Sequence, residues 1–209
     1  MMMMRMMMQT IVVLVTVCLV ASWAQQQYVI MTPGVCPDPP TQSNFDIKRF
    51  LGIWNVYECF DTPYIFGMTC VQMVFTQEDD QTQYIRMQIR GLRDVEFFGH
   101  SIWRSSVEYD GVGTVINSTY PAEWSVLFGG QPEFDRDNVN YYVLSTDYDS
   151  FAVVYGCVRP SPIAIKIETA MILTREPNVK PKTLDFLKYN MKSWGIDTKY
   201  FNKISAFNC

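Results

Sequence analysis

Histidine is the scarcest reactive residue in this chain: His100 is the only one in 209 residues. An imidazole-rich zinc or copper site cannot be assembled from it, and neither can two separate histidine relays. Basic residues are also few, 17 Lys and Arg against 21 Asp and Glu, for a formal net charge of -4. That leaves no cationic face for a phosphate backbone and excludes nucleic acid as the expected partner. Beyond the first 24 residues no apolar run approaches the length of a membrane span, and no internal repeat or low-complexity tract is visible. What is present is a chain 48% hydrophobic and 14% aromatic, with 18% charged residues. This is too apolar for disorder and the right length for one domain with a processed end.

The N-terminus supplies that processed end. Seven methionines surround Arg5, an uncharged apolar run follows from Ile11 to Ala21, and Ser22-Trp23-Ala24 places small residues at the -3 and -1 positions of a cleavage site. This pattern predicts a secretory signal peptide over 1–24, cut before Gln25, and a secreted, extracellular domain over 25–209. A membrane anchor is the rival reading, but eleven apolar residues fall short of the ~30 Å of hydrocarbon at about 1.5 Å per residue. Removing 24 of the 209 residues leaves 185, takes away Arg5 and Cys18, and brings the net charge to -5 with five cysteines.

The mature chain is strand-rich. Pro33 to Pro40 reads Pro-Gly-Val-Cys-Pro-Asp-Pro-Pro, an extended lead-in that can be neither helix nor central strand. Residues 45–50 suit a single capped helical turn. Short β-branched and aromatic runs predict strands at 52–59, 70–77, 83–90, 97–108, 113–120, 123–129, 140–146, 151–158 and 164–174. The expected turns fall at 77–80, Asp110-Gly111 and 147–150. Leu184, Leu187, Met191 and Trp194 form one helical stripe, with Pro181 suited to its first turn and Gly195 to the residue past its end. A meander of eight or nine strands and one late amphipathic helix predicts an all-β fold. The expected architecture is an eight-stranded antiparallel up-and-down β-barrel with the C-terminal α-helix packed outside. A β-sandwich would leave the helix unexplained.

Three segments carry a family resemblance. Asn44 to Trp54 reads NFDIKRFLGIW, with Gly52 and Trp54 as a Gly-x-Trp signature. Ser145-Thr146-Asp147-Tyr148-Asp149 precedes a strand ending in Cys157, and Ile172 to Pro177 reads ILTREP. In this order they resemble the lipocalin signatures. Cys36-Pro37 ahead of the first narrows the resemblance to lipocalins similar to apolipoprotein D, insect bilin-binding proteins and crustacyanin subunits. The resemblance implies that Trp54 sits at the closed end of the barrel with Arg175 across its ring, a contact worth about 0.5–2 kcal/mol. Gly52, Trp54, Asp147, Tyr148 and Arg175 are then marks of the fold, not ligand contacts.

Five cysteines in an oxidising compartment leave one odd residue, and sequence alone permits five choices of it with three pairings each. The resemblance implies Cys36–Cys157 and Cys70–Cys209. Cys59 is then free, or the anchor of an intermolecular disulfide in a homodimer or heteromer. Asn117-Ser118-Thr119 is a glycosylation sequon.

For function, the resemblance implies a barrel carrying one small hydrophobic ligand: lipid, sterol, retinoid, bilin or carotenoid. No cofactor is required, and no metal site or catalytic residue is argued. Strand alternation puts Trp54, Val56 and Glu58 on one face, and family relatives of Tyr142 and Leu144 line the pocket. On the following strand Ala152/Val154 and Val153/Tyr155 stay open as the inward set. His100 is a candidate contact to a pigment. A pigment-forming protein acting through subunit assembly is one alternative. A thiol-dependent lipid isomerase is another, disfavoured by the implied bridge at Cys70 and by the single histidine.

Overall fold

A computed structural model describes residues 30–77, 83–97, 100–129, 139–159, 164–177, 179–206 and 209. The expected signal peptide, its cleavage point and most of the turn at 77–80 lie outside the described residues.

The alternating runs form strands in chain order. They are β1 (Ile30–Pro33), β2 (Gly52–Cys59), β3 (Met68–Thr76), β4 (Tyr84–Phe97), β5 (His100–Val115), β6 (Glu123–Phe128), β7 (Tyr141–Thr146), β8 (Phe151–Val158), β9 (Ile165–Thr174) and β10 (Asn202–Lys203). From β2 to β9 each strand pairs antiparallel with the next, and β9 returns to pair with β2. The result is the expected closed eight-stranded barrel, which has no free sheet edge within its wall. β1 adds outside along β9, and β10 along β2. The helical turn α1 (Ile47–Phe50) is capped by the Asp46 side chain, and α2 (Pro181–Ser193) is the C-terminal helix. Gly195, past the end of α2, takes φ +83, a left-handed conformation open to glycine.

Two strands expected on either side of Asp110-Gly111 are one strand, β5. The glycine there serves close approach, not a turn: a Cβ at Gly111 would lie 2.7 Å from the Phe128 ring. Asp-Gly inside a strand and Asp-Gly at a hairpin tip look alike in one dimension. β1 and β10 were not expected. Each is a short strand added to a finished barrel, with little periodicity of its own.

Two apolar clusters divide the molecule. One fills the barrel, around Trp54, Phe75, Met87, Trp124, Val154 and Leu173. The other lies between the outer wall and α2, where Leu187 and Met191 cover Val153, Tyr155 and Ile172. Both disulfides pair as the resemblance implied, Cys36–Cys157 and Cys70–Cys209. They cross-link positions 121 and 139 residues apart, a constraint worth about 4–5 kcal/mol each in the chain-entropy account.

Candidate ligand site in the barrel

The floor of the barrel is built at the start of β2. α1 delivers the Phe50 carbonyl to Trp54 Nε1, which donates to it at 2.8 Å. Phe50 packs edge-on to Phe75 and Trp124, at 5.0 and 5.9 Å between centroids. The Arg175 guanidinium lies 3.7 Å over the Trp54 ring. It also donates to the carbonyls of Ile53, Arg49, Phe50, Leu51 and Tyr148 at 2.8–3.3 Å. One cation thus satisfies five acceptors where a helix end, a strand and a turn converge. The turn is fixed by Asp147, whose Oδ1 accepts from the N–H groups of Asp149, Ser150 and Phe151. Partial burial works against ionisation of Asp147, but hydrogen bonds from Ser150 and those N–H groups outweigh it and hold the carboxyl below its usual range. Tyr148 Oη accepts from Asp46 N–H at 2.9 Å. All five residues read as fold marks are gathered at this end.

The opposite end is covered by the β2–β3 connection, residues 60–67. Ile65 points back into the interior cluster and is 1% exposed. Beside it Tyr64 packs on Tyr109, at 5.2 Å, and on Phe128, at 5.0 Å. Its hydrogen bonds include Phe60 N–H to the Ala170 carbonyl, Ile65 and Phe66 N–H to the Thr62 carbonyl, Met68 N–H to the Ile65 carbonyl, Asn202 to the Asp61 carboxylate, and Arg93 to the Phe66 carbonyl at 3.2 Å.

Between floor and cover the wall is largely apolar, and among the described residues the inward Tyr141 and Thr169 each carry a buried hydroxyl without a hydrogen-bond partner. Tyr141 is stacked on Trp124, 5.5 Å between centroids and 14° between planes. Its hydroxyl is buried with no hydrogen-bond partner among the described residues, and burial raises its pKa.

The candidate contacts divide. Val56 is interior. Glu58 is not: β2 slips register against β9 between Val56 and Glu58, so Glu58 pairs with outward Ile172 and Cys59 with inward Met171. The Glu58 carboxylate instead meets Lys188 of α2 at 2.5 Å. Tyr142 and Leu144 are likewise corrected. Tyr142 pairs with Tyr155 and packs on it outside the barrel, and Leu144 belongs to the cluster under α2. Alternation is regular over 141–144, so both follow from the phase of β7; its register slip, between Val143 and Ser145, comes after Tyr142. Tyr141 and Val143 take the interior positions, as do Ala152 and Val154 of the two sets left open. His100 opens β5 opposite Phe97; its side chain is outside the described ones.

Cys59 is unpaired and wholly buried inside the barrel. Burial first, then the nearby Asp61 and Glu58 carboxylates, push its thiol up to about 12, far from a thiolate at neutral pH. Asn117 is exposed in the β5–β6 connection, its Oδ1 accepting from Thr119 N–H at 2.9 Å. Outside the barrel, β2, β3 and the C-terminal tail border an open groove of ≈ 690 Å³ lined by Asn55, Gln72, Lys203 and Cys209. Among the described residues no helix is long and apolar enough to cross a membrane.

Sequence reasoning missed Tyr64, Tyr109, Phe128 and Tyr141. The first three meet only through the fold, and no local pattern marks them. Tyr141 was passed over because Tyr141-Tyr142 offers one ring to each face and nothing local says which.

Floor, wall and cover together define a closed antiparallel barrel with an apolar interior. The chain belongs to the lipocalin family, whose Lipocalin-like domain matches residues 45–206. It is 29% identical over 177 residues to apolipoprotein D of Macaca fascicularis, covering 84% of this chain and 85% of that one. Among solved structures it is similar to apocrustacyanin C1 (TM-score 0.63, 17% identity, covering 86% and 93% of the two chains). Insecticyanin from the tobacco hornworm Manduca sexta is also similar (TM-score 0.62, 18% identity, covering 86% and 90%). At these identities the two structures speak to fold alone.

Proposed function

We propose that the protein is a secreted carrier that holds one small hydrophobic molecule inside the barrel and performs no chemistry on it. The observation that carries this reading is the closed barrel's interior, apolar and aromatic, with Trp54 and Arg175 at one end and Tyr64 and Ile65 at the other. An apolar guest gains about 25 cal/mol per Å² removed from water there. Membership of the lipocalin family supports the same class of guest, and names such as apocrustacyanin and insecticyanin keep carotenoids and bilins among the candidates alongside lipid, sterol and retinoid. Catalysis by a thiolate is disfavoured on two counts: Cys70 is bonded to Cys209, and the Cys59 thiol stays protonated. The depth of Cys59 also speaks against a covalent dimer through it. The leader pattern expected over 1–24 and the two disulfides support secretion, and the exposed turn at Asn117 supports a glycan there. The test is extraction of the protein from its natural source, with absorption and mass spectra of what comes out. One hydrophobic molecule per chain is expected; an empty barrel that also fails to take up pyrene would contradict the reading.

A further inference from the structure

We infer that the guest is amphipathic and enters polar end first, its oxygen or nitrogen hydrogen-bonding to Tyr141 Oη at the inner end of the barrel. The inference rests on the carrier reading and adds the chemistry and direction of the guest. Tyr141 lies deep. Its ring is stacked on Trp124, which in turn meets Phe45, Phe50 and Phe75, the aromatic group on which the floor is built. The hydroxyl is fully buried and nothing among the described residues bonds to it. A buried tyrosine hydroxyl ordinarily finds a partner, because leaving one unpaired forfeits its hydration without compensation. In register Tyr141 is flanked by Trp124, whose Nε1 is committed to the Pro121 carbonyl, and by Gly156; the inward Thr169 beyond Gly156 bears a hydroxyl that is likewise without a partner among the described residues. Phenylalanine would pack equally well at this position without the orphan, so the hydroxyl is explained by a partner that arrives with the guest.

The far end is complementary. The Tyr64 ring packs on both Tyr109 and Phe128, a surface suited to an apolar tail. A guest with a hydroxyl, carbonyl or similar group at one end and a hydrocarbon or polyene body at the other satisfies both ends at once. A pure hydrocarbon satisfies only the mouth. Because Tyr141 stays protonated well above neutral pH, it can donate to a carbonyl or accept from a hydroxyl.

Pyrene and 1-hydroxypyrene, which differ by one hydroxyl and report their own binding by fluorescence, test this against wild type and Tyr141→Phe. Wild type is expected to prefer 1-hydroxypyrene by about tenfold, ~1.4 kcal/mol. Tyr141→Phe is expected to bind pyrene as wild type does and to lose the preference. A preference that survives in Tyr141→Phe, or one that wild type never shows, overturns the inference while pyrene binding leaves the carrier reading standing. If wild type binds neither probe, the carrier reading fails and takes the inference with it.

Discussion

The two ends of the barrel are built on different principles. At the floor, Arg175 alone donates to five carbonyls and covers Trp54, while Asp147 collects three backbone N–H groups. At the mouth, an eight-residue connection rests on ring contacts and a handful of hydrogen bonds. A dense polar lattice resists opening because each bond is braced by others. Aromatic contacts can separate and re-form without stranding a buried polar group. The contrast makes one end the anchor of the fold and the other the end that opens more easily, which the carrier reading makes the route of its guest.

The sharpest way to break the comparison is Trp54→Ala. Truncating this wholly buried ring is expected to cost ~3–5 kcal/mol in urea unfolding. Arg175→Ala comes next at about 1–3 kcal/mol, since it strands several carbonyls at once. Alkaline pH probes the interior wall. The Cys59 thiol is held up to about 12 in the fold against 9.0 when unconstrained. Its contribution to stability is therefore complete below about pH 9 and lost progressively as pH rises towards 12. Melting temperature should fall across that window, and more steeply in wild type than in Cys59→Ala. Equal slopes would contradict the placement of the thiol. Tyr64→Ala should cost about 1 kcal/mol, as expected of a partly buried ring at the rim, while speeding release of bound pyrene by about tenfold in stopped-flow displacement. The smallest effect on binding belongs to Tyr142→Ala, which should leave pyrene affinity unchanged because the ring packs outside the barrel.

The same contrast explains what the sequence could reveal. Floor residues act through local geometry: Gly52-x-Trp54 beside a capped turn, and Asp147 folding the chain on itself. Local geometry leaves a local trace. Most strands and α2 were legible from periodicity, whereas the disulfide pairing came only from the family resemblance. The inward face was not legible. Alternation predicts a face only while the register is unbroken, and the slip after Val56 sends Glu58 outside; on β7 alternation holds from Tyr141 to Leu144, but nothing local fixes which phase faces in. A bulge depends on the partner strand, which a single strand's sequence does not display. The mouth has the same character, because Tyr64, Tyr109 and Phe128 are brought together by closure and by nothing in their own neighbourhoods.

A crystal structure of the protein soaked with pyrene tests interior carriage most directly. Carriage predicts the ring system inside the barrel, between Tyr141 and Tyr64. Density instead in the groove beside the C-terminal tail, or between α2 and the outer wall, would contradict it.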